Sequence, residues 1–368
     1  MNKARVIAFY LPQYHPIPEN DKYWGKGFTE WTNVAKAKPL FRGHYQPHIP
    51  ADLGFYDLRL PEVREAQAEL ARDAGIEGFC YYHYWFGNGK MLLQKPFEEV
   101  LRLGKPDFPF CLCWANHDWT TKTWVKGSSM VNNTMIAQQE YLGEQDDIKH
   151  FEYCLRAFKD HRYITIEGKP IFLIYDPLSF PNVKEFMNRW NFLAKKNNLK
   201  GIYFIGVTTG RQSSYKIVTN LGFDGVCHNR RWEAEAKAAG FRFVRRMQSL
   251  LGWHLGISLM KYDYNKVVRN YDTPENKLEN CYPVITPGFD RTPRAGRRAG
   301  IYVNSSPKNF KKHVAEICKS IQDKDDDHRL VFLSAWNEWG EGNYMEPDLK
   351  WGHGYLEALK SVVKFQIK

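Results

Sequence analysis

The chain has 368 residues, of which 43% are hydrophobic and 15% aromatic, and its formal net charge is +11. This composition excludes a disordered or low-complexity protein, and the length fits one large α/β barrel or two ordinary domains. The seven cysteines are odd in number and include no CxxC pair, which favours buried thiols over a disulfide framework.

Short apolar runs alternate with helical patterns along the whole chain. The strand-like runs are 5–11, 78–85, 108–116, 170–176, 202–208 and 329–336, with two more inside 222–229 and 282–290. The helical patterns are 60–75, 95–103, one near 145–158, 182–198, one inside 211–221 and 308–321. Eight buried strands with crossover segments predict a (β/α)8 TIM barrel. We expect a single catalytic domain over 1–368, with excursions at about 12–59 and 230–280.

Polar and aromatic side chains follow the predicted strands, where a barrel of this type carries its catalytic residues. The candidates for substrate binding are Tyr14, His15, His83, Tyr84, Trp85, Trp114, Asn116, His117, Asp118, Asp176, His228 and Asp290. Any one of them could cap a turn or fill a core, and Asp176 before Pro177 is equally an ordinary turn residue. Their joint occurrence at one end of the strands predicts a binding mouth.

The stretch "SAWNEWGEGNYMEPD" (334–348) carries the strongest candidates for chemistry. Glu338 and Glu341 follow directly on the last strand, and paired carboxylates in different environments are the usual equipment for breaking a glycosidic bond. We therefore predict that both are catalytic. The neighbouring side chains predicted to bind substrate are Asn337, Trp339, Tyr344 and Glu346. The alternative is that the two glutamates form surface salt bridges with lysines.

The sequence predicts neither a cofactor nor a metal, because the histidines are dispersed and no HxH, HExxH, GxxxxGK[ST] or GxGxxG pattern occurs. The basic stretch "RTPRAGRR" (291–298) predicts a phosphate or anion site at Arg294, Arg297 and Arg298. No nucleic-acid-binding module accompanies it, so we expect a sugar phosphate or lipid-linked pyrophosphate rather than a nucleic acid.

Several motifs together carry a family resemblance over nearly the whole chain. The motifs are "FYLPQYHPIPEN", "GFCYYHYWF", "WANHDWT", "PVITPGFDRTPR" and "SAWNEWGEGNYMEPD". They closely resemble the WbsX-type family of bacterial polysaccharide biosynthesis proteins. That family is similar to glycoside hydrolase family 99, a (β/α)8 fold of endo-acting α-mannosidases and mannanases.

The resemblance implies a metal-independent enzyme that makes or cleaves glycosidic bonds in O-antigen or capsule metabolism. It assigns Glu338 as the base toward a sugar 2-hydroxyl and Glu341 as the general acid/base. Glu346 and Pro347 match the E-P dipeptide of family 99, whereas Trp339 and Gly340 depart from that family. A hydrolase and a transferase remain equally open at this point.

Two other classes remain as alternatives. One is a non-catalytic glycan-binding barrel. The other is a nucleotide-sugar-dependent glycosyltransferase, which would need a Rossmann-like half and usually a DxD motif; "DDD" (325–327) precedes the last strand, at the wrong end of a barrel. We expect a cytoplasmic protein with a glycan or lipid-linked oligosaccharide as substrate. The apolar run before Pro12 is too short for a signal peptide, and the basic clusters suit peripheral contact with the inner membrane surface.

Overall fold

The computed structural model describes residues 4–121, 134–210, 212–239, 247 and 260–364. Eight strands form its centre: β1 (Arg5–Tyr10), β2 (Gly78–His83), β3 (Phe110–Trp114), β4 (Lys169–Ile174), β5 (Tyr203–Val207), β6 (Gly225–His228), β7 (Cys281–Ile285) and β8 (Leu330–Leu333). Each pairs in parallel with its two neighbours. The ring closes where β1 meets β8, with Ile7 opposite Phe332, and β3 meets β4 with Leu112 opposite Phe172. The predicted (β/α)8 barrel is confirmed.

The helices surround this ring. In chain order they are α1 (Pro18–Trp24), α2 (Glu30–Lys36), α3 (Pro61–Ala74), α4 (Lys95–Leu103), α5 (Glu144–Phe158), α6 (Val183–Lys196), α7 (Tyr215–Asn220), α8 (Arg231–Ala238), α9 (Tyr264–Val268), α10 (Thr292–Ala295), α11 (Pro307–Ser320) and α12 (Gly354–Val363). All six predicted helices are present. The short helices α1, α2, α8 and α9 lie inside the two excursions, for which no helix is predicted.

The loops contain short strands and 3-10 turns. The short strands are Trp119–Thr120 with Met135–Ala137, Thr165–Ile166 with β4, Met260–Asp263 with Gly300–Val303, and Asn337–Glu338 with Asn343–Tyr344. Single 3-10 turns span Pro177–Ser179, Pro274–Lys277, Gly296–Arg298, Asp326–His328 and Trp339–Glu341. The last of these turns directly follows Glu338 and carries Glu341.

The core has an inner and an outer layer because successive strand side chains point to opposite faces. Inside the barrel, Phe9 stacks on Tyr82 and on Phe332, with ring centroids 5.5 and 5.4 Å apart. Outside it, Tyr10 donates a 2.6 Å hydrogen bond to Gln67 of α3, and Trp190 of α6 is fully buried. All seven cysteines are free and buried, as predicted.

The first excursion folds back over the end of the barrel at which the strands finish. Trp31 of α2 donates from Nε1 to the carbonyl of Tyr56 at 2.8 Å, and the ring of Trp31 lies 5.5 Å from that of Trp339. This contact brings α2, near the start of the chain, against the turn that follows β8. The second excursion lies partly outside the described residues.

Among the helices that the structure describes, none has both the length and the apolar character needed to cross a bilayer.

Candidate active site

Hydrogen bonds from the N-terminal part of the chain fix the backbone around Glu338. The side chain of Asn337 accepts from the Leu11 amide at 2.7 Å and donates to the Leu11 carbonyl at 3.0 Å. Tyr14 donates its hydroxyl proton to the carbonyl of Asn337 and accepts from the Trp339 amide at 3.2 Å. Tyr14 and Asn337 are fully buried. They therefore hold the strand exit in place, which differs from the substrate contact predicted for both.

One guanidinium group connects three carboxylates at this turn. Arg294 Nη1 lies 2.7 Å from Glu341 Oε1 and 3.4 Å from Glu338 Oε2. The other edge of Arg294 binds Glu30 of α2, with Nε 2.9 Å from Oε1 and Nη2 3.1 Å from Oε2. Arg294 and Glu30 are buried, so this bidentate pair is shielded from solvent. Such charge-assisted pairs hold both planar groups in one orientation.

The two catalytic candidates have pKa values shifted in opposite directions. Burial and the nearby charge of Glu341 raise the pKa of Glu338 to about 7, although Arg294 opposes the shift. Burial also raises the pKa of Glu341, but Arg294, Arg291 and Arg231 outweigh it, so this pKa lies below its usual value. Arg291 Nε is 3.3 Å and Arg231 Nη1 is 3.9 Å from the Glu341 carboxylate. Glu341 is therefore ionised at neutral pH, whereas Glu338 is protonated in part of the molecules at that pH.

Both carboxylates open onto two cavities at the mouth of the barrel, with volumes of about 70 and 290 Å³. The cavities share the rings of Tyr82 and Tyr175, which meet edge to face 5.9 Å apart. The larger one also reaches Tyr84 and His117, which the sequence predicted as substrate-binding residues. Tyrosine rings beside a carboxylate pair present apolar faces and polar edges, a combination that suits sugar rings.

A family model described as "Glycosyltransferase WbsX" matches residues 6–359. The chain belongs to the WbsX glycosyltransferase family. It is 34% identical over 361 residues to a protein named "Uncharacterized protein WxcX" from Xanthomonas campestris pv. campestris strain B100, covering 98% of this chain and 50% of that protein. The same-named protein of a second strain matches equally. This WbsX-family chain thus spans about half the length of the curated relatives it matches.

Solved structures share the fold. The GH99 endo-alpha-mannosidase of Bacteroides thetaiotaomicron, in complex with BIS-TRIS-propane, is 16% identical with a TM-score of 0.56, covering 99% of this chain and 98% of that one. A structure titled "Glycoside hydrolase-like protein" is also 16% identical, with a TM-score of 0.58 and coverages of 99% and 94%. At this identity the likeness establishes the barrel fold.

Three predicted substrate-binding residues of the WbsX-family chain face away from the cavities. His83 points to the outer face of the barrel because Tyr82 occupies the inner face of β2, and Trp114 of β3, which pairs with His83, points the same way. His83 Nε2 lies 2.8 Å from His150 Nε2 of α5, and Trp85 stacks on the same His150 with ring centroids 4.6 Å apart. Trp114 donates from Nε1 to the carbonyl of Trp85 at 2.9 Å. All three are buried between the barrel and its helices, which corrects their predicted role.

Two further candidates, Asn116 and Asp176, form a backbone clamp. The side chain of Asn116 donates to the Asp176 carbonyl at 2.8 Å and accepts from the Asp176 amide at 2.7 Å. Asp118 is exposed and accepts from the Gln139 amide at 2.8 Å. His15 and His228 are buried, and burial lowers the pKa of each to about 4, so both imidazoles are neutral at physiological pH.

The remaining candidates lie beneath or behind the Glu338–Glu341 turn. Trp339 stacks on Tyr344 with ring centroids 3.7 Å apart. Glu346 is buried and accepts hydrogen bonds from Trp339 Nε1 at 2.6 Å, Gln67 Nε2 at 2.6 Å and the Tyr56 hydroxyl at 2.8 Å. These contacts give Glu346 and Trp339 a supporting role in place of the predicted substrate contact. Asp290 sits behind the turn, 2.7 Å from His44 Nε2 and 2.7 Å from Gln46 Nε2.

The structure gives two residues of the predicted arginine cluster, Arg294 and Arg297, different environments. Arg294 is buried among carboxylates that already occupy its guanidinium group, Arg297 is exposed, and the side chain of Arg298 lies outside the described residues. The structure instead brings Arg231 and Arg291 to Glu341. Sequence reasoning missed Arg231, Tyr82 and Glu30. The period-two alternation of β2 would have separated Tyr82 from His83, but no sequence signal connects Glu30 to Arg294.

Within the described ranges, His83, His150 and Cys154 have potential metal-ligand atoms that all lie within 4.8 Å of one another. All three are buried on the outer side of β2, and the two imidazoles already face each other at hydrogen-bond distance. A structural zinc site usually has four protein ligands, and this cluster supplies three. This cluster contributes no group to the cavities at Glu338.

Proposed function

We propose that this WbsX-family chain makes or cleaves glycosidic bonds of a bacterial surface polysaccharide, such as O-antigen or capsule, through Glu338 and Glu341. One observation carries the proposal. Two carboxylates at the C-terminal mouth of the barrel share Arg294 and have pKa values shifted in opposite directions. Groups with separated pKa values at one site are what acid–base chemistry requires.

Glu338 is the group that accepts a proton. A general base works best when its pKa lies near the operating pH, and the pKa of Glu338 is raised to about 7. Its carboxylate would take the proton of an attacking hydroxyl, which is either the 2-hydroxyl of the sugar itself or the hydroxyl of an acceptor. This role agrees with the one that the resemblance to family 99 implies for Glu338.

Glu341 acts as a fixed negative charge. Arg294, Arg291 and Arg231 hold it ionised, so a carboxylate faces the positive charge that develops at the anomeric carbon. This assignment differs from the proton donor implied by the resemblance. A phosphate leaving group departs without a proton, so an ionised Glu341 favours transfer from a phosphate-linked donor over hydrolysis of an ordinary glycoside.

The spacing of the two acids supports a double-displacement route. The neighbouring oxygens of Glu338 and Glu341 both contact Arg294 Nη1, so they lie no more than about 6 Å apart. This upper limit lies below the ~6.5–9.5 Å of inverting glycosidases and allows the ~5–5.5 Å of retaining ones. Attack by the sugar's own 2-hydroxyl, whose proton Glu338 accepts, followed by attack of the acceptor at the same carbon gives two displacements, so this route predicts retention of the anomeric configuration.

Substrates whose leaving groups differ in ability distinguish a fixed charge from a proton donor at Glu341. Glu338→Gln and Glu341→Gln should each lower turnover by about 10²–10⁴-fold on oligosaccharides and equally on dinitrophenyl glycosides, with the α-mannoside tested first. Glu357→Gln, an exposed acid on α12, serves as the control and should keep full activity. Rescue of Glu341→Gln by the dinitrophenyl substrate alone would make Glu341 the proton donor. Full activity in both variants would end the proposal.

A further inference from the structure

A separate cavity of about 310 Å³ lies behind the Glu338–Glu341 turn, and no step of the proposed chemistry uses it. Its volume falls at the lower end of the ~300–1,000 Å³ typical of ligand pockets. Phe289 and Tyr302 form walls of this cavity and also of the smaller catalytic cavity. The Asp290 amide, on its floor, donates to the Glu341 carbonyl at 2.5 Å. The two sites are therefore neighbours that share part of one wall.

The carboxylates in this cavity already have protein partners. Asp290 accepts hydrogen bonds from His44 and Gln46, both at 2.7 Å. Asp348 accepts from the Tyr344 hydroxyl at 2.7 Å and from the backbone amides of Lys350 and Trp351 at 3.0 and 2.5 Å. Neither carboxylate needs a cation from a ligand.

The lysines at the rim have a different environment. The Lys350 ammonium lies over the rings of Tyr45 and Trp351, 4.5 and 4.8 Å from their centroids, and Lys261 lies 3.4 Å from the centroid of Phe41. Among the residues that the structure describes, neither lysine has a carboxylate within salt-bridge distance. Ring faces stabilise an ammonium group only modestly at exposed positions. Lys350 therefore offers a positive charge beside aromatic surface in the cavity, whereas Lys261 is connected to it only through the ring of Phe41.

We propose that this cavity is a second glycan-binding subsite that takes a pyranose ring bearing an acidic substituent. The rings of Tyr45 and Trp351 would contact the sugar, and Lys350 would pair with its anionic group. A glycan bound at the catalytic carboxylates would have to extend over the wall that Phe289 and Tyr302 form between the two cavities. This inference rests on the proposed function, because it takes the ligand of the cavity to be part of the glycan that binds at Glu338 and Glu341.

Binding measurements with matched oligosaccharides test the subsite. The probes are tetrasaccharides and disaccharides in pairs that differ only in carrying a hexuronic acid or the parent hexose, and the protein is the Glu341→Gln variant. In that background Trp351→Ala should weaken tetrasaccharide binding by about tenfold and leave disaccharide binding unchanged. Lys350→Met should weaken only the binding of the uronate tetrasaccharide. The controls are Phe192→Ala and Lys311→Met, both exposed and away from the cavity.

Each outcome decides the inference. Equal affinity of the parent protein and both cavity variants for all four probes would overturn it, as would equal losses for short and long probes. An equal effect of Lys350→Met on uronate and hexose probes would also overturn it. Turnover measured separately on the unmodified protein distinguishes the two proposals. Selective uronate binding without any turnover would leave the subsite standing and refute the proposed enzyme.

Discussion

Gly340 shows why a single residue matters at the Glu338–Glu341 turn. A Cβ atom at this position would lie 1.8 Å from Glu30 Oε1 and 2.9 Å from Arg294 Nε. The buried ion pair therefore presses directly against the backbone of the turn. A residue without a side chain is needed here because of this close approach.

Gly340→Ala should separate Glu30 from Arg294 and release the carboxylates of the turn. We expect the free energy of unfolding to fall by about 1–3 kcal/mol, as for other overpacked sites, and turnover to fall with it. Denaturant unfolding and initial rates measure the two effects. Gly300→Ala is the matched control, because its Cβ would meet nothing closer than 3.6 Å. Normal turnover in Gly340→Ala would show that the ion pair does not position Glu338 or Glu341.

The raised pKa of Glu338 gives the reaction a predicted pH dependence. A base must be ionised to accept a proton, so kcat/KM should rise with pH and level off above a pKa of about 7. The residual activity of Glu338→Gln should lack this ascending limb because glutamine does not titrate. A rate that instead falls as pH rises through 7 would mean that the protonated form of Glu338 is the active one.

At the scale of elements, the strand ends were predictable and the side chain directions were not. Buried parallel strands leave long apolar runs in the sequence, so β1 to β8 were visible, and Glu338 and Glu341 followed the last of them. The polar residues at a strand end alternate between the mouth and the helices, and a tightly buried strand is apolar on both faces. Sequence alone therefore could not assign Tyr82 to the cavity and His83 to the core.

Neighbouring substitutions on β2 test this alternation. Tyr82→Ala should raise KM because it removes a ring that both catalytic cavities share. His83→Ala should leave KM unchanged and lower the free energy of unfolding by about 1–3 kcal/mol, since His150 loses its hydrogen-bonded partner. Kinetics and denaturant unfolding on both variants provide the comparison. A raised KM in His83→Ala would place His83 at the substrate after all.

At the scale of the whole molecule, we expect the proposed chemistry to proceed without a metal. In the proposal, Glu338 supplies the base, and Glu341 with its arginines supplies fixed charge at the same place. Prolonged treatment with EDTA, followed by gel filtration, should leave both turnover and melting temperature unchanged. A fall in melting temperature with turnover preserved would indicate a bound ion at His83, His150 and Cys154. A loss of turnover would show that a metal takes part in the reaction.

The overall architecture could be predicted further than the site within it. Alternating strands and helices fix a barrel locally, segment by segment, whereas the site depends on contacts between distant parts of the chain. Glu30 binds Arg294 across 264 positions of the chain, and the sequence around either residue does not indicate the other. The short helix α2 escaped prediction for a similar reason, since its packing against the turn after β8 stabilises it.

The pairing of β1 with β8, together with the reach of Glu30 to Arg294, has a consequence for synthesis on the ribosome. While the first seven strands have emerged, the edge of β1 still lacks its final neighbour and α2 has no turn to cover. Glu30 of α2 then stays exposed to water until Arg294 and the last strand of the barrel have been translated. Under the proposed function, a nascent chain is therefore inactive until the segment from β8 to Glu341 has left the ribosome, because only then does the charged centre assemble.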